Sequence, residues 1–210
     1  MTDDTTLPTG DFRPLLVCGL AGFAVLSCIV LALSILVADF VVPHHDWIAD
    51  TISDLGAGDY EYIVDIGLYT FSGGLIALAL LAAHVHLGGW DWSGGLVLLV
   101  GKALLVFLIG ARNEYGDADQ DGAVIHIYLV YALGLAMAAI PFLLARGAGR
   151  IGPGYPRALR IIGALWILSA PVFFFLPTDI DGVFERYLGL LSFAMVAVLA
   201  HLFWTITKRA

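Results

Sequence analysis

Long apolar stretches separated by short polar segments follow one another along the whole chain. Each stretch is long enough to cross a membrane as a helix, because a hydrocarbon core about 30 Å thick needs roughly 20 apolar residues. The intervening segments are rich in Gly, Pro and Asp, which end helices and favour turns. The pattern therefore predicts an all-α polytopic membrane protein, with six transmembrane helices in one bundle, over residues 14–42, 61–87, 94–111, 123–145, 158–176 and 184–205.

Composition agrees with a membrane protein. Hydrophobic residues make up 60% of the chain and charged residues 13%, with a mean hydropathy of +0.91, whereas a soluble domain is about half apolar and a quarter charged. No shift in composition divides the chain. Residues 13–207 are therefore predicted to form one transmembrane domain, preceded by a disordered cytoplasmic segment, residues 1–12.

The basic residues predict the orientation. Arg13 precedes the first helix, "RGAGRIGPGYPR" lies between the fourth and the fifth, and Lys208 and Arg209 end the chain. With six helices these three sites fall on one side of the membrane, and short loops rich in Lys and Arg stay in the cytoplasm. We expect a multi-pass protein of the plasma membrane with both termini cytoplasmic.

The opposite, outer face is acidic. Its loops and the adjoining helix ends hold thirteen of the eighteen carboxylates and two basic residues, Arg112 and Arg186. Such a surface repels nucleic acid and attracts cations. Nucleic acid is thus excluded as a partner, and membrane lipid and small cations are expected.

The first outer loop carries the densest polar segment, "HHDWIADTISDLGAGDYEYIVD". Asp46, Asp50 and Asp54 recur at spacing four, so they would line one side of a helix whose apolar residues lie elsewhere around it. We predict a short interfacial helix at the membrane surface, ended by Gly56 or Gly58.

Two opposite charges are predicted at membrane depth. Asp65 lies in the second helix, and Lys102 is the one charge in the body of the third. A lone intramembrane charge is costly, and these neighbouring helices are antiparallel, so we predict an ion pair between the two residues. The pair either fixes helix packing or serves a polar pathway.

A divalent-cation site is a further hypothesis. The stretch "DADQDG" matches the first half of an EF-hand calcium loop, but position twelve of that loop is Tyr128 instead of a bidentate Glu. An EF-hand is therefore excluded. A looser site with a divalent cation as cofactor stays open, with the candidate ligands His44, His45, Asp117, Asp119 and Asp121.

The starts of the second, fourth and sixth helices lie at a similar depth on the outer face. In a compact bundle these starts can meet, and a buried arginine there would need carboxylate partners. We therefore predict one outer-face cluster that binds a ligand, formed by Ser53, Asp54, His126, Glu185 and Arg186.

Three short motifs resemble a known family. They are "TISDLGAG", the histidine of "GAVIHIYLVYALG", and "GVFERYLGLLSF", and they resemble the bacterial and archaeal membrane proteins of domain-of-unknown-function family 998 from about Phe12 to Trp204. The middle loop, "ARNEYGDADQDG", departs from the "FP.D" type of sequence expected there, and "FLPTD" occurs after the fifth helix instead. The resemblance implies a six-helix membrane protein and no established reaction. The residues that carry it are Ile52, Ser53, Leu55, Gly56, His126, Gly182, Glu185 and Arg186.

Several functions remain open at this point. The favoured one is a membrane protein whose outer cluster binds a small ligand, a cation or a lipid headgroup. One alternative is a membrane-embedded hydrolase acting on a lipid, with His126 as general base and Ser53 or a metal-bound water as nucleophile. The other is a cation or proton transport element that uses Asp65 and Lys102.

Overall fold

The computed structural model describes residues 13–111 and 125–209, and within these ranges the ordered elements are helices. Six of the seven described helices are long and apolar enough to cross a membrane, and the short α2 lies between the first two of them. The predicted fold class is confirmed. The helices are α1 (Pro14–Val41), α2 (Ile52–Leu55), α3 (Glu61–Val85), α4 (Trp90–Ala111), α5 (His126–Ala148), α6 (Gly154–Phe173) and α7 (Asp181–Thr207).

Several helices begin earlier than the apolar windows predicted. Helix α4 begins at Trp90 and α6 at Gly154, each four residues before the expected start. Polar residues and prolines fit a first helical turn, because its N–H groups have no acceptor within the helix. Asp91 in α4 accepts a hydrogen bond from the Trp92 N–H at 2.9 Å, and Pro156 lies in the first turn of α6. Hydropathy alone therefore places the starts of these two helices too late.

The six long helices form a closed ring. In order around the ring, α1 packs on α3, α3 on α4, α4 on α5, α5 on α6, α6 on α7, and α7 again on α1. Neighbours in the chain are thus also neighbours in space, and α7 additionally contacts α1, α3 and α5. The ring surrounds a centre that side chains from all six helices can reach.

One half of this centre is filled. Towards the ends of α3 and α7 at Val85 and Thr207, large side chains such as Leu81, Trp92 and Phe203 are fully buried. The indole N–H of Trp92 donates to the Ala82 carbonyl at 2.7 Å, so its polar group is satisfied. This half is a close-packed core. The other half, at the predicted outer end, contains the candidate site.

The short helix α2 exists but is smaller than predicted. Thr51 and Asp54 form a capping box, which starts the helix at Ile52, and Gly56 caps its end. Asp46 and Asp50 precede the helix, and the Asp50 carboxylate accepts from the Asp46 N–H at 2.8 Å. The prediction that three aspartates line one helical face was therefore wrong, because the first two make local turns.

Candidate functional site

The start of α7 is bonded to the backbone of the first loop, residues 42–60, which joins α1 to α3 and contains α2. The Gly182 N–H donates to the Ala49 carbonyl at 3.2 Å, and the Val183 N–H donates to the Ile48 carbonyl at 3.0 Å. First-turn N–H groups need acceptors from outside the helix, and the loop supplies them. Gly182 is buried at this contact, where a side chain would meet the loop backbone.

Arg186, one turn further along α7, holds the same loop and the end of α1. Its Nη1 donates to the carbonyls of Asp50 at 2.9 Å and Gly182 at 3.0 Å. Its Nη2 donates to Asp39 Oδ1 at 2.5 Å and lies 3.2 Å from His45 Nε2. The His45 ring also lies 3.0 Å from Asp39 Oδ1 and 3.4 Å from Asp50 Oδ2. We call these four side chains, Asp39, His45, Asp50 and Arg186, the arginine network.

A second group of contacts lies beside this network. Glu185 Oε2 accepts from the Ile52 N–H at 2.5 Å, and the Ser53 hydroxyl lies 3.5 Å from Glu185 Oε1 and 3.3 Å from His126 Nε2. His126 is 5% exposed. The start of α2 is thus held by α7 and α5 together. Ser53, His126 and Glu185 form what we call the rim trio.

Asp54, the remaining member of the predicted cluster, faces its own helix start. Its Oδ2 accepts from the Thr51 N–H and the Thr51 hydroxyl, each at 2.7 Å. The structure thus brings four of the five predicted residues to one rim and gives Asp54 a capping contact at the start of α2.

The rim trio borders a cavity of about 910 Å³ in the centre of the ring. Its lining comes from all seven described helices and is mostly apolar. Lys102 and Ser192 also line it, and Ser192 lies seven residues after Glu185 on α7. At 1.5 Å of rise per residue, that places them about 10 Å below the rim. We call these two residues the cavity floor.

The cavity reaches the outside of the ring. Leu135 of α5 and Leu190 of α7 both line it, and they are 74% and 63% exposed. In a membrane such exposed apolar side chains face lipid. Part of the cavity lining is therefore apolar surface that the described chain leaves uncovered.

Lys102 is almost completely buried at the floor, with 2% exposure. Its Nζ donates to the Ser192 hydroxyl at 2.7 Å and lies 3.2 Å from the Met137 sulfur. It also lies 5.9 Å from the centre of the Phe71 ring. Within the described part of the chain, no carboxylate lies within ion-pair distance of Lys102.

The predicted ion pair between Asp65 and Lys102 was therefore wrong. The Ser72 hydroxyl donates to the Ala103 carbonyl at 2.7 Å, so residue 72 of α3 lies opposite residue 103 of α4. Asp65 lies seven residues before Ser72, which places it about 10 Å closer to the rim. Its buried Oδ1 has no hydrogen-bond partner among the described residues. The transport hypothesis depended on this pair.

A family model matches the part of the chain that forms the ring of helices and the rim of its cavity. The family model described as a protein of unknown function, DUF998, matches residues 25–202, from within α1 to within α7. The chain belongs to the DUF998 family. This confirms the resemblance found in the sequence, and the residues that carried it on α2, α5 and α7 meet at the rim of the cavity. No curated protein and no solved structure matches the chain.

The predicted metal ligands of this DUF998 protein are not assembled in the described residues. Asp117, Asp119 and Asp121 lie outside those residues. His44 is exposed, while His45 belongs to the arginine network. Among the residues that the structure describes, no group of three or more His, Cys, Asp or Glu side chains is arranged to hold a metal ion.

Two residues of the DUF998 site were missed from the sequence. Asp39, a carboxylate in the last turn of an apolar helix, was a visible signal, because an acid in such a position needs a partner. Ser192 gave no signal, because small hydroxyl residues are common within transmembrane helices. Its role follows only from the position of Lys102 beside it.

Proposed function

We propose that this DUF998 protein binds an amphipathic lipid in its central cavity, with a polar group of the lipid at the rim trio. The cavity carries the proposal, because it combines mostly apolar walls with a few polar groups at defined depths. Small-molecule sites have this composition and volumes of roughly 300–1,000 Å³. The exposed apolar side chains at its edge favour a ligand that enters from the membrane.

The contacts at the rim suggest different roles for the predicted residues. Arg186 is bonded to Asp39 and to two backbone carbonyls, so most of its donors serve the fold. Ser53 and His126 both line the cavity, and the hydroxyl and imidazole can each donate or accept a hydrogen bond. We assign Arg186 to positioning the first loop, and Ser53 and His126 to contact with the polar group.

The lipid retained by the purified protein tests this function. Gly134 lines the cavity with open space around its Cβ position, so Gly134→Leu should fill the cavity and displace the lipid. Gly22 of α1 is exposed, also has open space, and lies outside the lining, so Gly22→Leu is the matched control. Mass spectrometry should find about one lipid per chain in wild type and Gly22→Leu, and a marked loss in Gly134→Leu. Equal retention in the two variants would rule out the cavity as the binding site.

Lipid ester hydrolysis is a second candidate, favoured by the 3.3 Å distance between Ser53 Oγ and His126 Nε2. A serine beside a histidine at this distance can act as a nucleophile with a general base. Glu185 Oε1 lies 3.5 Å from the serine hydroxyl in this arrangement. Ser53→Ala distinguishes the two functions, because it would abolish hydrolysis but only weaken binding.

We assign the rim to the outer surface of the plasma membrane and both termini to the cytoplasm, on the basis of the basic residues. In a background with Cys18 and Cys28 replaced by serine, a cysteine in place of Ala57 beside α2 should react with an impermeant thiol reagent in intact cells. A cysteine in place of Arg150, between α5 and α6, should react only after the cells are opened. The reverse result would invert the topology.

A further inference from the structure

Lys102 at the cavity floor carries an amine that takes no part in the contacts of the rim trio. Lys102 is buried in the middle of a transmembrane helix, and within the described residues its hydrogen-bond partners are a hydroxyl and a thioether. An ammonium in such surroundings is costly unless an anion accompanies it. Asp65 is not the anion that accompanies Lys102, because it lies about 10 Å nearer the rim. A ligand in the cavity can supply the missing anion.

We infer that the floor binds the carboxyl group of a long-chain carboxylic acid, through Lys102 and Ser192. The ammonium has three N–H donors, and a thioether is only a weak acceptor for one of them. The Ser192 hydroxyl accepts from Lys102 and keeps its own proton to donate. Together they offer two kinds of donor to the two oxygens of a carboxylate, which accepts charge-assisted bonds well.

Charge balance supports an acid that arrives from the bilayer. A protonated acid and a neutral amine can meet at the floor without bringing a net charge into the membrane. The carboxyl proton then passes to Lys102 Nζ, which leaves a carboxylate beside an ammonium. The pair is neutral overall, and both partners keep hydrogen bonds at the floor. This is the condition under which a buried ion pair is tolerated.

The walls define the rest of the ligand. The apolar lining between floor and rim, including Phe71, Trp166 and Phe193, suits an aliphatic chain. The rim trio lies about 10 Å above the floor. This inference deepens the proposed function, on which it rests. A ligand that contacts both the floor and the rim trio is a long-chain acid with a second polar group, such as a hydroxyl, part-way along its chain.

Binding of palmitic acid and of methyl palmitate to the purified protein tests the inference. Wild type should bind the acid more tightly than the ester, because only the acid can pair with Lys102. Lys102→Met should weaken acid binding about tenfold or more and change ester binding much less, because the ester can accept a hydrogen bond but cannot form an ion pair. Ser192→Ala should weaken acid binding less. Lys208→Met is the control, because Lys208 is exposed beyond the end of α7 and should leave both affinities as in wild type.

The outcomes separate this inference from the proposed function. Equal affinity of wild type for the acid and the ester, or an unchanged acid affinity in Lys102→Met, would refute the acid site while leaving lipid binding intact. No binding of either probe, together with no retained lipid, would refute the proposed function itself. If Lys102→Met does not fold, the comparison of acid with ester in wild type and in Ser192→Ala still decides.

Discussion

Replacing Gly182 with alanine is expected to destabilise the protein by about 3 kcal/mol, at the upper end of overpacking effects. An added Cβ would overlap the Asp50 carbonyl oxygen, and it would lie 2.7 Å from the Asp50 carbonyl carbon and 2.9 Å from the Ile48 oxygen. These are backbone atoms, which cannot rotate away as the tip of a side chain can. The first loop must therefore leave the start of α7 and lose the two backbone hydrogen bonds there.

Gly189→Ala is the matched control for this prediction. Gly189 is in the same helix, and nothing lies within 4 Å of its Cβ position. Alanine is the better helix former, so this variant should be as stable as wild type or up to about 1 kcal/mol more stable. Thermal unfolding in detergent measures both variants. If Gly182→Ala unfolds at the same temperature as Gly189→Ala, the loop does not pack on α7 as described.

Loss of the Arg186 guanidinium is expected to have an effect of similar size, about 3 kcal/mol. Arg186→Gln leaves Asp39 without its closest cation and removes donors from the carbonyls of Asp50 and Gly182. The side chains of Arg186 and Asp39 are 16% and 17% exposed, so water replaces these bonds poorly. Thermal unfolding of Arg186→Gln, Asp39→Asn and the double variant should show a cost for the double variant well below the sum of the single costs.

Arg146→Gln provides the comparison for a surface pair. Arg146 lies 4.0 Å from Asp91, and its side chain is 85% exposed. Its loss should cost less than about 0.5 kcal/mol, because exposed ion pairs contribute little. Additive effects of Arg186→Gln and Asp39→Asn, or an Arg186 variant as stable as the Arg146 variant, would show that the arginine network does not hold the first loop.

The arginine network also connects stability with the proposed site. It attaches the segment before α2 to α1 and α7, and the rim trio then fixes α2 itself through Ile52 and Ser53. Ser53 thus reaches the cavity because the first loop is held on two sides. Variants that release the loop are therefore expected to reduce lipid retention as well as stability.

The sequence by itself determined the membrane architecture. Hydrocarbon thickness sets a length that only long apolar stretches meet, so the six spans could be predicted from the chain alone. The helix starts differed from the prediction, because polar first-turn residues such as Asp91 belong to the helix although they lower its hydropathy. The meeting of Ser53, His126 and Glu185 could also be predicted, since alternating helices begin on the same side of a bundle.

Only the tertiary structure decided which polar residues are partners. Partner choice depends on helix register, and a shift of seven residues moves a side chain by about 10 Å along the axis. Because of that shift, Lys102 lies far from Asp65 and contacts Ser192 instead. Ser192 is uncharged, so nothing in the sequence indicated that it would be the partner of a lysine. Likewise, Asp54 accepts a hydrogen bond from the nearby Thr51, while Arg186 donates to Asp39 of α1. The cavity likewise exists only in the folded protein, because its walls come from all the helices of the ring and no single helix encloses it.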